Sequence, residues 1–435
     1  MTAILIFAGR STRFWPLSEK SFFPVAGTCL LAEQVKRLKE AGIKNIILVA
    51  GAHNKKEAKA MFPTMTIVEQ KDLDLGMRGA LLSALPKCTE EKVLIVSAND
   101  FIDVQAYKDL MTASKQITSG GVLLARKVKT YFPGGYLSLK GKRITSIVEK
   151  PTPGTEPSSM INLVAHVHAS KTTLLKALKT VKPTKDDGYE VALDSLFQTE
   201  TYTAMPYTGL WQAVKYPWHL LDLLSSLLPS VETPSIHPSA VIHRTAVIEG
   251  SVVIEAGVKV FAHATITGPA YIGKNTIVAN NALVRGSSIG EHCVVGYSTE
   301  ICRSILSSNV WTHMNYVGDS VIGNNVSLGG GTTTGNLRLD EAEIQSMVKN
   351  EPVKTGRVKF GTIIGPNCRF GFQSSTLPGV KIGSGSFINA TTLVSRDIPD
   401  QSFVKSKQAT ELDIRPNHTI PSLPQERDVF RKKLA

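Results

Sequence analysis

The sequence predicts an α/β domain with a mostly parallel sheet, followed by a parallel β-helix. Three observations predict this. Over about the first 230 residues, short apolar runs alternate with amphipathic helical stretches. A proline-marked break follows, with Pro229 and Pro234. From Ile236 onward a β-branched residue then recurs at every sixth position. At roughly 100–200 residues per domain, a chain of 435 residues has room for both folds.

In the front half, Ala3 to Ala8, Ile46 to Ala50 and Val93 to Val96 read as buried strands, short and continuously apolar. Leu30 to Ala41 reads as an amphipathic helix stopped by Gly42. Strand–helix–strand alternation implies right-handed crossovers and a parallel sheet. Ligands of such sheets sit beyond the carboxyl ends of the strands, so the loops there are expected to carry the chemistry. Trp218 to Leu228 reads as a closing helix.

In the back half, Ile236, Ile242, Ile248, Ile254, Val260, Ile266, Ile272, Val278 and Val284 are nine β-branched residues spaced by six. Neither a 3.6- nor a 2-residue period produces that register. A hexapeptide repeat does, by stacking each apolar position on the coil before it. The register slips by one near Gly286 and resumes at Ile289, Val295 and Ile301. A second block runs through Ile364, Phe370, Thr376, Ile382, Ile388 and Val394, and the charged stretch Asn336 to Phe360 reads as a projecting loop. The expected domains are therefore 1–229, 230–399 and a tail, 400–435, with a short last helix.

Composition narrows the function. Hydrophobic residues make up 42% and charged residues 20%, which excludes global disorder. No apolar run approaches the roughly 18 residues of a membrane span. The apolar start has no basic n-region or cleavage site, so no signal peptide is expected. Five cysteines without a C-x-x-C pair argue for a reduced, cytoplasmic protein. A net charge of +13 points to phosphorylated partners. Nucleic acid is disfavoured, because no dense basic run with interleaved aromatics occurs; the nearest candidate, Arg431 to Lys433, is short and terminal.

The first strand runs into Ala8-Gly9-Arg10-Ser11-Thr12-Arg13, a small-residue loop whose N–H groups suit phosphate. Lys20-Ser21-Phe22-Phe23-Pro24 follows. The pair resembles the A-G-x-G-T-R signature and downstream lysine of sugar-1-phosphate nucleotidylyltransferases. The resemblance implies that Ala8 and Gly9 approach the nucleotide and that Arg13 and Lys20 hold its phosphates. Glu69-Gln70 and Leu75-Gly76 resemble the base-reading segment, with Gln70 and Gly76 as its contacts. Asp100 matches the metal-binding aspartate, where a hard Mg2+ wants carboxylate oxygen. Gly135, Glu149, Lys150 and Asn162 resemble the sugar-phosphate pocket. The front half also departs from the family: the Arg13 to Lys20 spacing is about three residues short, and Met77 and Arg78 replace small residues. Ser11 stands where the second signature glycine does, and its Cβ disfavours a positive φ. Ala213, in Trp211-Gln212-Ala213, stands where W-x-D supplies a second metal ligand, and Asp194 is a candidate replacement.

In the back half, His313-Met314-Asn315-Tyr316-Val317-Gly318-Asp319 resembles the H-x-x-Y-x-G-D segment of bifunctional N-acetylglucosamine-1-phosphate uridylyltransferase/glucosamine-1-phosphate acetyltransferases, in their archaeal-type form. The resemblance implies a left-handed β-helix and a homotrimer. It makes His313 the base for acetyl transfer from acetyl-CoA, a task suited to imidazole. It makes Arg285, Tyr316 and Asn336 the residues that bind substrate. Cys302 replaces a family lysine, with Arg303 adjacent. The expected function is bifunctional: a nucleoside triphosphate (UTP) with N-acetylglucosamine-1-phosphate in front, and acetylation of an amino-sugar phosphate behind. Two alternatives are an acetyltransferase with a degenerate front domain and a non-catalytic regulatory subunit.

Overall fold

The computed structural model describes residues 1–182, 187–228, 234–406, 412–418 and 423–425. Pro229, the boundary at 229/230 and Arg431 to Lys433 lie outside the described residues; of the expected last helix, only Pro424 and Gln425 are described, and both are helical. The chain divides into two compact units. One is Met1–Arg10 with Leu30–Ala213, and the other is Ser11–Cys29 with Val214–Ala435. The division thus falls elsewhere than the sequence boundary. The early segment 11–29 and the closing helix, His219–Leu227, both count with the back unit.

The front unit is built on a nine-stranded sheet. Its first four strands in space, Thr66–Glu69, Asn45–Ala50, Thr2–Ile6 and Val93–Ser97, are parallel, and the last three are the strands that the apolar runs predict. Beyond them the sheet is mixed. Met160–His168 pairs antiparallel with both Val93–Ser97 and Gly121–Lys127. Arg143–Glu149 and Gly135–Lys140 form an antiparallel edge. Helices such as Leu30–Glu40 and Gly188–Thr199 supply apolar faces through Leu31, Val35, Leu193 and Leu196, all buried.

The back unit is a parallel β-helix. Three stacks of short parallel strands run along it. One passes from Ser235–Ile236 to Lys381–Ile382, and a second from Val247–Glu249 to Leu393–Val394. The third begins at Val241–Ile242 and continues through bridges at Trp311 into Ser327–Leu328 and beyond. The six-residue positions form the core. Ile254, Ile272, Ile289, Leu306, Ile322, Ile364 and Ile382 are an unbroken buried column. Ile236, in the first coil, is 43% exposed because no earlier coil covers it.

Coil length varies. Ile254 pairs with Ile272, 18 positions on; Ile272 pairs with Ile289, 17 on; Glu300 pairs with Tyr316, 16 on. The missing residues come from particular corners. Three residues separate Thr267 from Tyr271, but only two separate the stacked pairs Arg285–Ser288, Cys302–Ile305 and Gly318–Val321. Gly286, Arg303 and Asp319 turn these tight corners at φ 57°, 47° and 48°. Inside them, buried serines replace lost backbone partners. Ser304 N donates to Ser287 Oγ (3.1 Å), Ser320 N to Ser304 Oγ (3.0 Å) and Thr362 N to Ser320 Oγ (3.0 Å). The stretch Asn336 to Phe360 interrupts the coils as expected and contains the hairpin Gln345–Val348/Glu351–Lys354.

Candidate functional site

In the front unit, the structure brings three of the sugar-pocket residues together. Glu149 pairs in register with Gly135, and a Cβ on Gly135 would lie 2.6 Å from Asn162 Oδ1 and 3.2 Å from Glu149 Oε2. Only glycine leaves room for both side chains. Lys150 lies at φ 45°, and its ammonium meets Glu149 Oε1 at 2.8 Å, so the cation is held beside the carboxylate.

Gln70 is buried. Its amide Nε2 donates to the carbonyls of Asp72 and Gly76, both at 2.8 Å. It therefore shapes the 72–76 loop, and Gly76 turns that loop at φ 51°, ψ −140°, a conformation open to glycine. Gly79 was not singled out from the sequence; a Cβ there would come within 2.7 Å of Gln70 Nε2. Ala8 is buried at the strand end, and Gly9 is exposed with open space over its Cα.

Asp100 lies opposite Ala213 in an antiparallel pair, Asp100–Ile102 with Trp211–Ala213. Trp211 Nε1 donates to Asp100 Oδ1 at 2.9 Å, and Phe132 packs edge-on against the indole at 4.9 Å. The position that carries an aspartate in the family motif is thus directly cross-strand from Asp100, on the same face of the ribbon. Among the described residues no group of three or more His, Cys, Asp or Glu is placed to hold a metal. Asp194, the candidate replacement, is engaged elsewhere: its Oδ1 accepts from Ile147 N at 3.1 Å. One carboxylate still fits Mg2+, which is commonly held by one or two carboxylates plus substrate phosphates.

Arg13 and Lys20 fall in the back unit's segment. Ser11 adopts φ 50° despite its Cβ. Its hydroxyl donates to Glu19 Oε1 at 3.1 Å, and the same oxygen accepts from Ser21 N. That local bonding holds the left-handed conformation without glycine. Arg13 is exposed on a cavity, and Lys20 is half-buried.

In the β-helix, one face carries a continuous polar cluster across the shortened coils. Arg285, Cys302 and Gly318 stack in register. Arg285 pairs with Glu300 at 2.7 Å, and Glu300 is in register with Tyr316. Asn336 Nδ2 donates to Tyr316 Oη (3.1 Å) and to Asp319 Oδ2 (2.6 Å). Arg303 grips buried Asp319 through two bonds of 2.7 Å. Its charge is therefore spent as a strut, and it does not replace the family lysine. Cys302 Sγ donates to Tyr316 Oη at 3.5 Å. Burial first, and then this thiol, push the Tyr316 phenol up to about 12, so it is neutral at physiological pH. A Cβ at Gly318 would lie 2.6 Å from both Asn336 Nδ2 and Tyr316 Oη, so any larger residue there would displace both side chains.

His313 is exposed at the corner leading into Tyr316. That corner is also short. Val294 to Glu300 spans six positions, while their stacked partners Trp311 and Tyr316 span five. Buried Asn315 pins it. Its Oδ1 accepts from His313 N, and its Nδ2 donates to the carbonyls of Gly329 (2.8 Å) and Thr332 (3.1 Å). Asn315, Glu300 and Asp319 were not singled out as site residues. The signal that finds them is the local loss of one residue from the six-residue beat.

An α/β front unit with a phosphate-type loop and a β-helix bearing an ordered polar cluster define a nucleotidyltransferase-plus-hexapeptide-repeat protein. Residues 3–230 match the family model for the MobA-like NTP transferase domain. The chain is 32% identical over 423 residues to the bifunctional protein GlmU of Methanococcus aeolicus, covering 94% of this chain and 98% of the relative. It is 35% identical over 429 residues to the GlmU of Methanococcus maripaludis strain C7, covering 94% and 98%. It is 29% identical over 416 residues to the bifunctional sugar-1-phosphate nucleotidylyltransferase/acetyltransferase of Sulfurisphaera tokodaii, covering 93% and 100%. A solved UDP-glucose pyrophosphorylase complexed with UDP-glucose aligns with 52% of this chain and 97% of its own at 17% identity and a TM-score of 0.46. The chain belongs to the family of bifunctional GlmU-type sugar-1-phosphate nucleotidylyltransferase/acetyltransferases.

Proposed function

We propose that this protein is a bifunctional enzyme of sugar-nucleotide synthesis, with UTP and N-acetylglucosamine-1-phosphate as the front substrates and glucosamine-1-phosphate with acetyl-CoA as the back substrates. The observation that carries the reading is the ordered cluster of Arg285, Glu300, Tyr316, Asp319 and Asn336 in a chain similar to bifunctional relatives along nearly its whole length. The match over 3–230 supports 1–229 as the functional front domain. The back domain is 230–399, a left-handed β-helix that assembles as a homotrimer, and 400–435 is a tail. Among the described residues no helix is long and apolar enough to cross a membrane, and the proposed location is the cytoplasm.

In front, a phosphate oxygen of the sugar-1-phosphate attacks the α-phosphorus of the nucleotide. A new P–O bond forms as the bond to pyrophosphate breaks. Glu149, Asn162 and the gap at Gly135 position the sugar, and Lys150 pairs with its phosphate. Gln70 and Gly76 set the loop that meets the base, Ala8 and Gly9 let the backbone approach, and Arg13 and Lys20 neutralise phosphate charge. Mg2+, when bound, stabilises charge on the leaving pyrophosphate; Asp100 is the carboxylate that would hold it. Behind, the sugar amine attacks the thioester carbon. His313 takes the amine proton, the C–N bond forms and the C–S bond breaks to release coenzyme A. Arg285 binds the sugar phosphate, and Tyr316 and Asn336 position the sugar.

The test uses purified protein with Mg2+ and a panel of nucleoside triphosphates and sugar-1-phosphates, reading pyrophosphate, and separately acetyl-CoA with glucosamine-1-phosphate, reading free thiol. No pyrophosphate from any pair refutes the front reading; no thiol refutes the back one. A second reading, acetyl transfer alone, is favoured by Ala213 lying opposite Asp100, and predicts thiol release without pyrophosphate.

A further inference from the structure

The back unit contains a cavity of about 610 Å³, and of the residues that line it only Arg13 has a role in the reactions proposed above. Its walls come from three places: the 12–15 segment, the hairpin tip at 347–350, and the last coils at 381 and 396–400. Four cations line it, Arg13, Lys349, Lys381 and Arg396, against two anions, Asp397 and Asp400.

The two anions are occupied within the wall. Asp397 accepts from Lys381 N at 2.8 Å and pairs with Lys381 Nζ at 3.3 Å. Asp400 Oδ1 accepts from Ser384 N (2.7 Å) and Trp15 Nε1 (3.1 Å). The Lys381 side chain, 5% exposed, also donates to the Met347 carbonyl and lies 4.7 Å from the Trp15 ring centroid. Trp15 is therefore a fixed aromatic wall, held by its N–H on one side and a cation over its face. Lys381 ties hairpin, coil and indole into one rigid frame. By contrast, Arg13, Lys349 and Arg396 are exposed and have no acceptor among the described residues.

We propose that this cavity binds a small molecule through a diphosphate group. Three cations without an acceptor in the wall, of which Lys349 and Arg396 have no role in either reaction, suit an anion with several charged oxygens, and guanidinium forks suit phosphate oxygens in particular. The volume lies within the roughly 300–1,000 Å³ of small-molecule sites and exceeds what a lone phosphate fills. The aromatic wall at Trp15 suits a ligand with a ring beyond its diphosphate. Two sources supply that chemistry, free pyrophosphate and a nucleoside diphosphate.

The test is calorimetric titration of the full chain with inorganic pyrophosphate, with UDP, and with sulfate as a control. The comparison protein is the K349E/R396E double variant, which changes two exposed residues with no proposed role in either reaction. The expected result is that the variant loses one diphosphate-binding event per chain, or binds it at least tenfold more weakly, while both reaction rates stay at the wild-type level. Loss for UDP as well as pyrophosphate identifies a nucleoside diphosphate site; loss for pyrophosphate alone identifies the inorganic ion. Unchanged stoichiometry and affinity in the variant would overturn the proposal, as would equal binding of sulfate by the wild type. If circular dichroism shows the double variant misfolded, K349A/R396A is read by the same criteria.

Discussion

Ala213→Asp would restore the carboxylate that the family motif carries, and the structure fixes where it would stand. Ala213 and Asp100 are directly opposed across an antiparallel pair. Opposed Cβ atoms lie about 4.5–5.5 Å apart, so the two carboxylates would face each other at about 5 Å. Two unit charges at that distance repel by about 3 kcal/mol at an effective dielectric of 20 and about 1 kcal/mol in water. Without metal, the variant should therefore be less stable by about 1–3 kcal/mol. For a unit of this size that is a fall in melting temperature of roughly 2–12 °C. A divalent cation between the two carboxylates would reverse the repulsion. The assay is thermal unfolding in chelator and in millimolar Mg2+, for wild type, Ala213→Asp and Ala213→Asn. The aspartate variant should melt low in chelator and recover with Mg2+, the asparagine variant should show no such recovery, and nucleotidyl transfer should accelerate only in the aspartate variant. If both variants respond to Mg2+ alike, the two positions do not share a metal and the cross-strand reasoning fails.

Gly135→Ala should raise the KM for the sugar-1-phosphate at least tenfold and leave acetyl transfer untouched, because its Cβ would collide with Asn162 and Glu149; steady-state kinetics of both reactions check this. His313→Ala should cut acetyl transfer by about 10²–10⁴-fold while pyrophosphate release is unchanged, and an unchanged thiol-release rate would remove His313 as the base. His166 and His168 are buried against Tyr189 and Tyr202, and burial lowers both to about 3. Unfolded histidine titrates near 6.5, so the unfolded chain binds more protons below that pH. Their contribution is complete above about 6.5 and is lost as pH falls towards 3, by up to about 1.4 kcal/mol per pH unit for each histidine. Denaturant titrations across that window should show the slope, and His168→Phe should flatten it. Ile289→Ala, in the fully buried column, should cost about 2–5 kcal/mol in the back unit, read as a lower denaturation midpoint.

The six-residue beat was legible because burial enforces it: Ile272 and Ile364 can face nothing but the column. The strands at Thr2–Ile6 and Val93–Ser97 were legible for the same reason, being apolar at every position but Thr2 and Ser97. The antiparallel half of the front sheet was not, because Gly135–Lys140 and Arg143–Glu149 mix polar and apolar residues without a continuous apolar run or a regular alternation, a pattern that does not state its partner. Site residues were legible where a motif names a side chain, as at Tyr316 and Asn336. They were not legible where the role is support. Asn315 and Asp319 work through hydrogen bonds to residues 14 to 17 positions away, and Gln70 turns its amide inward onto a loop that its motif implied it would leave for a base.

The shortened corners carry a consequence for how such a site is made. A scaffold usually acquires function by gaining chain; here both parts of the back cluster coincide with chain removed. The edge from Ser288 to Val294 keeps its spacing of six in every stacked coil, through Ile305–Trp311, Val321–Ser327, Ile363–Arg369 and Lys381–Phe387. The other two edges drop single residues beside Arg285, Arg303, Asp319 and His313, and one of them then accepts the whole 336–360 excursion. One edge thus acts as a fixed hinge line, while the others are open to editing by deletion. Putting one residue back after Gly286 would lengthen that corner alone, leaving the corners at Arg303, Asp319 and His313 short.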